Sequence, residues 1–241
     1  MSALRPELPT IAPSDLEILP LESARTIPAR WYVDPRFHEL DREVVLAGTW
    51  LLAAHASQVA NPGDLVCLTL AGEPILLVRG EDGVARAFFN VCRHRGGPLA
   101  IEDGPVAALR CRYHGWTYGL DGHLRGVPDM SGVLQFTREE FGLVPVELRE
   151  WEGLLFVRLQ PPAGPVATRS GDRRAPEGAS ELDPRDAFAE IPERIAPRSL
   201  TASRFVRRIR YPIACNWKVY VDNYLEGYHL PLVHPELCKL L

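Results

Sequence analysis

The chain has 241 residues, a formal net charge of -4 at pH 7, 46% hydrophobic residues and 24% charged residues. That length allows one large or two small domains with a true core, and the proportions exclude wholesale disorder, a collagen-like repeat and a coiled coil. Without a basic excess there is no global field to hold a phosphate backbone, so nucleic acid is not an expected partner.

The first 20 residues, MSALRPELPTIAPSDLEILP, are broken by prolines and acids and contain no continuous apolar run. No secretory signal is expected there, and the expected location is cytoplasmic. The longest largely apolar stretch, Val44 to Ala54, is interrupted by Gly48 and Thr49 and falls short of the about 20 residues a membrane helix needs. From Asp34, the run DPRFHELDREVVLAG predicts one amphipathic helix: Asp34 is an N-cap, Pro35 takes the first helical position, and Phe37, Leu40 and Val44 recur at helical spacing. This N-terminal extension is expected to cover residues 1–45.

Short runs rich in branched and aromatic residues follow. Trp50 to Ala54, Leu65 to Leu70, Pro74 to Arg79, Val84 to Asn90, Val144 to Leu148 and Gly153 to Leu159 read as strands. Asp82-Gly83 and Asp121-Gly122 predict type I′ hairpin turns, where glycine supplies positive φ without steric cost. Together these runs predict an antiparallel β domain over 46–160. The 19 glycines and 22 prolines of the chain crowd the next stretch, so residues 161–198 read as a linker. Beyond it Arg204 to Ile213 reads as a strand, followed by a helix from about Asn216 to His229. Trp217, Tyr220, Val221, Tyr224, Leu225 and Tyr228 share one face of that helix, with Asp222, Glu226 and His229 on another. Residues 199–241 are thus a second, shorter unit.

Five cysteines, Cys67, Cys92, Cys111, Cys215 and Cys238, are an odd count, so a disulfide framework is not expected. Two of them stand beside histidines. NVCRHRGGPLA contains Cys92-x-His94, and LRCRYHGWTYGLDG contains Cys111-x-x-His114. Two cysteines on one iron and two histidines on the other form the ligand set of a Rieske [2Fe-2S] centre, with each segment giving one ligand to each iron. Zinc also takes two cysteines and two histidines, although a Cys-x-His opening fits zinc fingers badly. Gly96, Gly97 and Gly115 allow close backbone approach around such a centre, and Trp116 and Tyr118 can screen it from water. Arg93 and Arg95 suit an acidic electron donor or a solvated loop equally.

A second constellation lies in CNWKVYVDNYLEGYHLPLVHPEL, where Glu226, His229 and His234 follow one another with Pro231 between the histidines. Two histidines and a carboxylate with open positions suit non-haem Fe(II) that activates dioxygen. Taken alone, Asp222 and Glu226 read better as a solvated helix face and the two histidines beside a proline as incidental; the co-occurrence with the cysteine-histidine pairs upstream reverses that preference. His38, His55 and His123 read as surface or structural histidines.

CRHRGGP followed by CRYHGWTYGLDGHLRG resembles the Rieske module of ring-hydroxylating oxygenase α subunits, including the choline- and carnitine-type monooxygenase branch. The likeness runs from about Thr26 onward and weakens through the linker. It implies an α+β fold: an antiparallel β Rieske [2Fe-2S] domain with an N-terminal helix, followed by the start of a helix-grip catalytic domain. It further implies a Rieske-type mono- or dioxygenase, the terminal oxygenase component, in which Cys92, His94, Cys111 and His114 hold the cluster and His229 and His234 bind mononuclear Fe(II). Glu226 then links His114 of one subunit to His229 of its neighbour; many relatives carry Asp there. The implied partners are an NAD(P)H-dependent reductase or ferredoxin, O₂ and a small organic substrate. Quaternary ammonium compounds, aromatic rings and N- or O-demethylation all remain open. The assembly is a homotrimer or an α-β oligomer, with no nucleic acid and no membrane. The family's third iron ligand is an Asp far downstream of the second histidine, and Glu236 lies too close to His234 to replace it, so the chain reads as a fragment of such a subunit. The alternative is a Rieske ferredoxin-like electron carrier, which needs neither the N-terminal helix nor the His229/His234 segment.

Overall fold

The computed structural model describes residues 8–130, 132–160, 188 and 190–240. By internal contacts the chain divides into two units: Glu43–Arg207, and Met1–Arg42 together with Arg208–Leu241. Most of the expected linker, residues 161–187, lies outside the described residues.

The larger unit is built on antiparallel strands. β1 (Leu51–His55), β2 (Asp64–Leu70), β3 (Glu73–Arg79), β4 (Ala85–Phe89), β5 (Gly104–Pro105), β9 (Pro145–Trp151) and β10 (Leu154–Arg158) form one sheet in the order β1-β10-β9-β4-β3-β2-β5. A smaller sheet has the order β6-β7-β8, from β6 (Leu109–Arg110), β7 (Thr117–Tyr118) and β8 (Leu124–Gly126). All six strands expected in this unit form, within a residue or two at most ends. A short helix, α3 (Ile191–Ile195), follows on the far side of the undescribed stretch.

Strand β3 explains how the unit is layered. Its apolar run Ile75-Leu76-Leu77-Val78 is buried throughout, and because strand side chains alternate, it serves two cores. Ile75 and Leu77 join Val66, Leu68, Ala87, Val146, Leu155 and Val157 on one face. Leu76 and Val78 join Leu65, Phe88, Leu109, Tyr118, Leu124 and Leu143 on the other, and that second core also contains Cys92 and Cys111. The small sheet is thereby packed on the large one with both thiols in the layer between them.

The hairpins differ from expectation in one respect. Type I′ turns occur at Ala71-Gly72 and Glu152-Gly153, where both residues have positive φ (49° and 83°; 50° and 79°) and join β2 to β3 and β9 to β10. At Asp82-Gly83 and Asp121-Gly122 only the glycine is left-handed. There the Gly83 N–H donates to Gly80 O and the Gly122 N–H to Gly119 O, so each is a longer loop closed by a left-handed glycine. The extra loop residue relieves the aspartate of positive φ.

In the smaller unit, α1 (Arg30–Val33) precedes α2 (Pro35–Leu40), whose N-cap Asp34 accepts the Arg36 N–H as expected. The expected single helix is interrupted: from Asp41 to Leu46 the turns widen to the π form. The change begins at buried Asp41, whose carboxylate pairs with Lys218 and accepts the Trp217 indole N–H at 3.0 Å. α4 (Trp217–Leu225), capped by Asn216, is followed by the single-turn α5 (Leu230–Val233) and α6 (Pro235–Cys238). α4 stops at Leu225, short of the expected His229, and Glu226 is extended (φ -127°, ψ 152°); Glu226 and His229 therefore do not share a helix face with Asp222. The strand expected over Arg204 to Ile213 makes no sheet pairing, because among the described residues no edge is hydrogen-bonded to it. No helix among the described residues is long and apolar enough to cross a membrane.

Two left-handed glycines separate backbone strain from packing. An added Cβ at Gly83 (φ 77°) meets nothing within 4 Å, whereas at Gly122 (φ 84°) it stands 2.5 Å from Phe88 Cε1. Gly83→Ala is expected to cost about 1 kcal/mol and Gly122→Ala about 3 kcal/mol in urea unfolding, the difference being the displaced buried ring.

Candidate cluster and iron sites

The segments bearing Cys92 and Cys111 adopt the same backbone. The Cys92 N–H donates to Gly97 O (2.8 Å) and the Gly96 N–H to Cys92 O (3.0 Å); the Cys111 N–H donates to Trp116 O (2.9 Å) and the Gly115 N–H to Cys111 O (3.0 Å). Gly96 and Gly115 occupy equivalent places and share φ 73°, a conformation other L residues rarely adopt. The base of the first loop is pinned by Asn90, whose Oδ1 accepts the Leu99 and Ala100 N–H groups and whose Nδ2 donates to Ala100 O at 2.6 Å. A buried amide with these partners satisfies loop groups that water cannot reach. Its only sequence signal is an asparagine ending an apolar strand.

This geometry divides the donors by depth. Cys92 and Cys111 are each 2% exposed, while His94 is exposed and His114 half-buried. The imidazoles stand together at the rim with ring centroids 4.6 Å apart. His94 stacks on Trp116 at 4.9 Å with planes 6° apart, and Tyr113 lies 3.8 Å from His114. Desolvation, His114 and Arg95 hold His94 below the usual imidazole range, which favours the neutral, ligating form.

Tyr118 does more than screen. Its oxygen accepts the Arg93 N–H at 3.0 Å and stands 3.4 Å from Cys92 Sγ, to which the hydroxyl donates when that sulfur is a metal-bound thiolate and can only accept. Burial, then the Cys92 sulfur, pushes its hydroxyl above the usual phenol range despite the Arg93 N–H, so it stays a donor. An added Cβ at Gly97 would stand 3.2 Å from Cys111 Sγ, so glycine leaves the space beside that sulfur open.

Two buried sulfurs and two rim imidazoles fit a [2Fe-2S] centre, which takes two protein ligands on each iron and therefore needs donors gathered in pairs. Among the described residues no three His, Cys, Asp or Glu are grouped about a single ion.

In the smaller unit Glu226 Oε1 accepts from His229 Nδ1, and its Oε2 accepts the Tyr228 N–H and, at 3.3 Å, the His229 N–H. His229 thus holds the Glu226 carboxyl below its usual range. This is the arrangement of a ligating histidine whose second nitrogen donates to a carboxylate, leaving Nε2 free. The His229 and His234 rings are edge to face with centroids 5.5 Å apart. The loop after α4 brings these three residues side by side but gathers no three donors about one ion. The Tyr32 hydroxyl donates to Asp222 Oδ2 at 2.6 Å and is pushed up to about 12 by that bond; with Asp41–Lys218 it ties the N-terminal segment to α4, a link that sequence spacing did not reveal.

Comparison with known proteins agrees with both regions. Residues 49–137 match the Rieske [2Fe-2S] domain and residues 200–241 the catalytic domain of the ring hydroxylating alpha subunit. The chain is 39% identical over 236 residues to the carnitine monooxygenase oxygenase subunit of Escherichia coli (strain K12), covering 98% of this chain and 58% of that protein. It is 32% identical to the chloroplastic choline monooxygenase of Arabidopsis thaliana, covering 91% of this chain and 50% of the relative. The crystal structure of the quaternary ammonium Rieske monooxygenase CntA with L-carnitine superposes with a TM-score of 0.74 at 30% identity, covering 88% of this chain and 56% of the other. The chain thus spans little more than half the length of these relatives. The match over 200–241 does not support the alternative of a ferredoxin-like carrier. A Rieske domain that binds a [2Fe-2S] cluster and a region of the catalytic domain that uses mononuclear non-haem iron follow one another in a single polypeptide, which belongs to the Rieske ring-hydroxylating oxygenase α subunits.

Proposed function

We propose that the chain serves a terminal oxygenase that takes electrons from an NAD(P)H-dependent reductase or ferredoxin and uses O₂ to hydroxylate or demethylate a small organic substrate. The observation that carries this reading is the pair of matching loops, with Cys92 and Cys111 sealed below and His94 and His114 at the rim, in one chain with the Glu226, His229 and His234 segment. The substrate class we infer is a trimethylammonium compound, because the carnitine and choline monooxygenases are the relatives it resembles. The domain boundaries we adopt are 46–160 for the Rieske domain and 199–241 for the catalytic part, in a cytoplasmic homotrimer or α-β oligomer.

Cys92, His94, Cys111 and His114 hold the cluster. His229 and His234 hold iron through imidazole, and that iron, when bound, supplies the activation of dioxygen. The protein's own residues do the rest. Trp116 and the second core exclude water from the sulfurs, and Tyr118 donates to Cys92. Glu226 accepts the Nδ1 proton of His229 and so keeps its Nε2 turned outward as a ligand. By the resemblance, the same carboxylate links His229 to His114 of a neighbouring subunit.

Metal analysis tests the assignment. The chain reconstituted with iron and sulfide is expected to hold two acid-labile sulfides and to show a Rieske EPR signal on reduction. Cys92→Ser should abolish both, whereas His229→Ala should lose only the iron not accompanied by sulfide. A colourless chain whose zinc content follows Cys92 and Cys111 would refute the reading.

Tyr118→Phe removes a hydrogen bond that favours the more negative, reduced cluster. Its reduction potential is expected to fall by roughly 40 mV, the one-electron equivalent of about 1 kcal/mol. Spectroelectrochemical titration of the reconstituted chain measures it, with unchanged EPR shape showing that the ligands are intact.

A further inference from the structure

The helix that leads to Glu226 is held by its polar side. α4 spans nine residues and none of them is fully buried, and a helix so short is marginal unless something outside it holds it. Within it only Trp217, Lys218 and Asp222 are not exposed, and these are the residues that meet the N-terminal segment. Buried Asp41 accepts the Trp217 indole N–H at 3.0 Å and pairs with Lys218, both charged side chains being 12% exposed. A pair so little hydrated holds its partners firmly, because parting them would leave a charge uncompensated. The Tyr32 hydroxyl donates to Asp222 Oδ2 at 2.6 Å. Lys218 and Asp222 are four residues apart and lie one above the other on one face, so α4 is gripped at two successive turns. Its apolar side chains Tyr220, Val221, Tyr224 and Leu225 are all exposed and do not provide the grip.

The consequence falls on the residues that follow. Glu226 is the C-cap of α4 and is already extended, so the direction in which its carboxylate leaves the helix depends on where the last turn points. That carboxylate accepts from His229 Nδ1 through one oxygen and from the Tyr228 and His229 N–H groups through the other. Rotation of α4 about its axis would carry Glu226 away from His229. We propose that Tyr32 and Asp41 are positioning residues of the iron site: by fixing the rotation of α4 they place Glu226 where it holds His229 in the Nδ1–H form and leaves Nε2 free to ligate. The proposal rests on the reading of His229 and His234 as iron ligands. It gives the N-terminal segment a part in that site although Tyr32 stands 190 residues from Asp222 in sequence.

The test reads the tautomer of His229 in the full, cluster-loaded chain by long-range ¹H–¹⁵N correlation NMR, above the usual imidazole range. A histidine held by nothing favours the Nε2–H form, whereas in the unmodified chain the Nδ1–H form is expected. Tyr32→Phe, which removes only a hydroxyl, should lower the ratio of Nδ1–H to Nε2–H roughly fivefold. Asp41→Asn, which keeps an acceptor for the Trp217 indole but gives up the charge facing Lys218, should lower it likewise. Asp222→Asn, which still accepts from Tyr32, should retain it. In a Glu226→Ala background Tyr32→Phe should change nothing further, because its effect runs through that carboxylate. A ratio indifferent to Tyr32→Phe overturns the proposal, and so does a loss of equal size in the Glu226→Ala background, which makes the link merely structural. Cobalt(II) titration of the same samples separates this inference from the reading beneath it. Binding should weaken roughly fivefold in Tyr32→Phe, in step with the ratio. Equal affinity in the two chains refutes the positioning role alone, whereas an unmodified chain that takes up no cobalt(II) through His229 and His234 refutes the iron site itself.

Discussion

The proposed cluster asks that two cysteine sulfurs lie out of water while two imidazoles a few residues away stay at its edge. The loops meet this demand with a shared backbone in which the cysteine N–H and C=O are both tied within six residues and a glycine at φ 73° reverses the chain. Each loop passes in that distance from the second core to the rim. The two-faced burial of Ile75-Leu76-Leu77-Val78 supports this arrangement. One face of β3 closes a core of its own, and the other provides the floor on which both cysteines rest. Weakening that floor would admit water to the sulfurs, where the low local dielectric gives the Tyr118 hydrogen bond its strength.

Burial at one end and exposure at the other also give the site a direction. Groups that set its electronic character, Tyr118 and the space at Gly97, face the sulfurs. The His94 imidazole and the Tyr113 ring are exposed, with His114 half-buried beside them. In the smaller unit the same economy appears around Glu226, which binds backbone through one oxygen and His229 through the other. A carboxylate held in this way orients its histidine without needing a helix face to do so. The N-terminal segment contributes to that unit through Asp41 with Lys218 and Tyr32 with Asp222, pairs about 180 residues apart in sequence.

Legibility in the sequence followed the range of the interaction. The N-cap Asp34 with Pro35 and the six strands of the larger unit were readable, because each depends on alternation or capping within a few residues. Turn type at Asp82-Gly83 and Asp121-Gly122 was not. A dipeptide does not state how many residues the hairpin closes around, and the type I′ turns formed at Ala71-Gly72 and Glu152-Gly153, where the strand register left two residues. The run Arg204 to Ile213 has strand composition, but a strand exists only with a hydrogen-bonding partner, and composition does not supply one. The helix through Glu226 was overextended because a periodic apolar face continues to Tyr228, while the backbone leaves the helix at Glu226, one residue before Gly227.

The sequence by itself determined which atoms can bind metal and roughly where the chain turns, since donor chemistry and local propensity belong to residues and their near neighbours. Tertiary structure alone decided which donors are sealed and which are exposed, that Tyr118 reaches Cys92 across 26 positions, and that Asn90 pins the first loop. Those outcomes depend on the register of the strands and on how the small sheet packs upon the large one. Because a shift of one residue in register would turn every side chain of a strand to its other face, burial and contact are properties of the packed sheets and not of any segment within them.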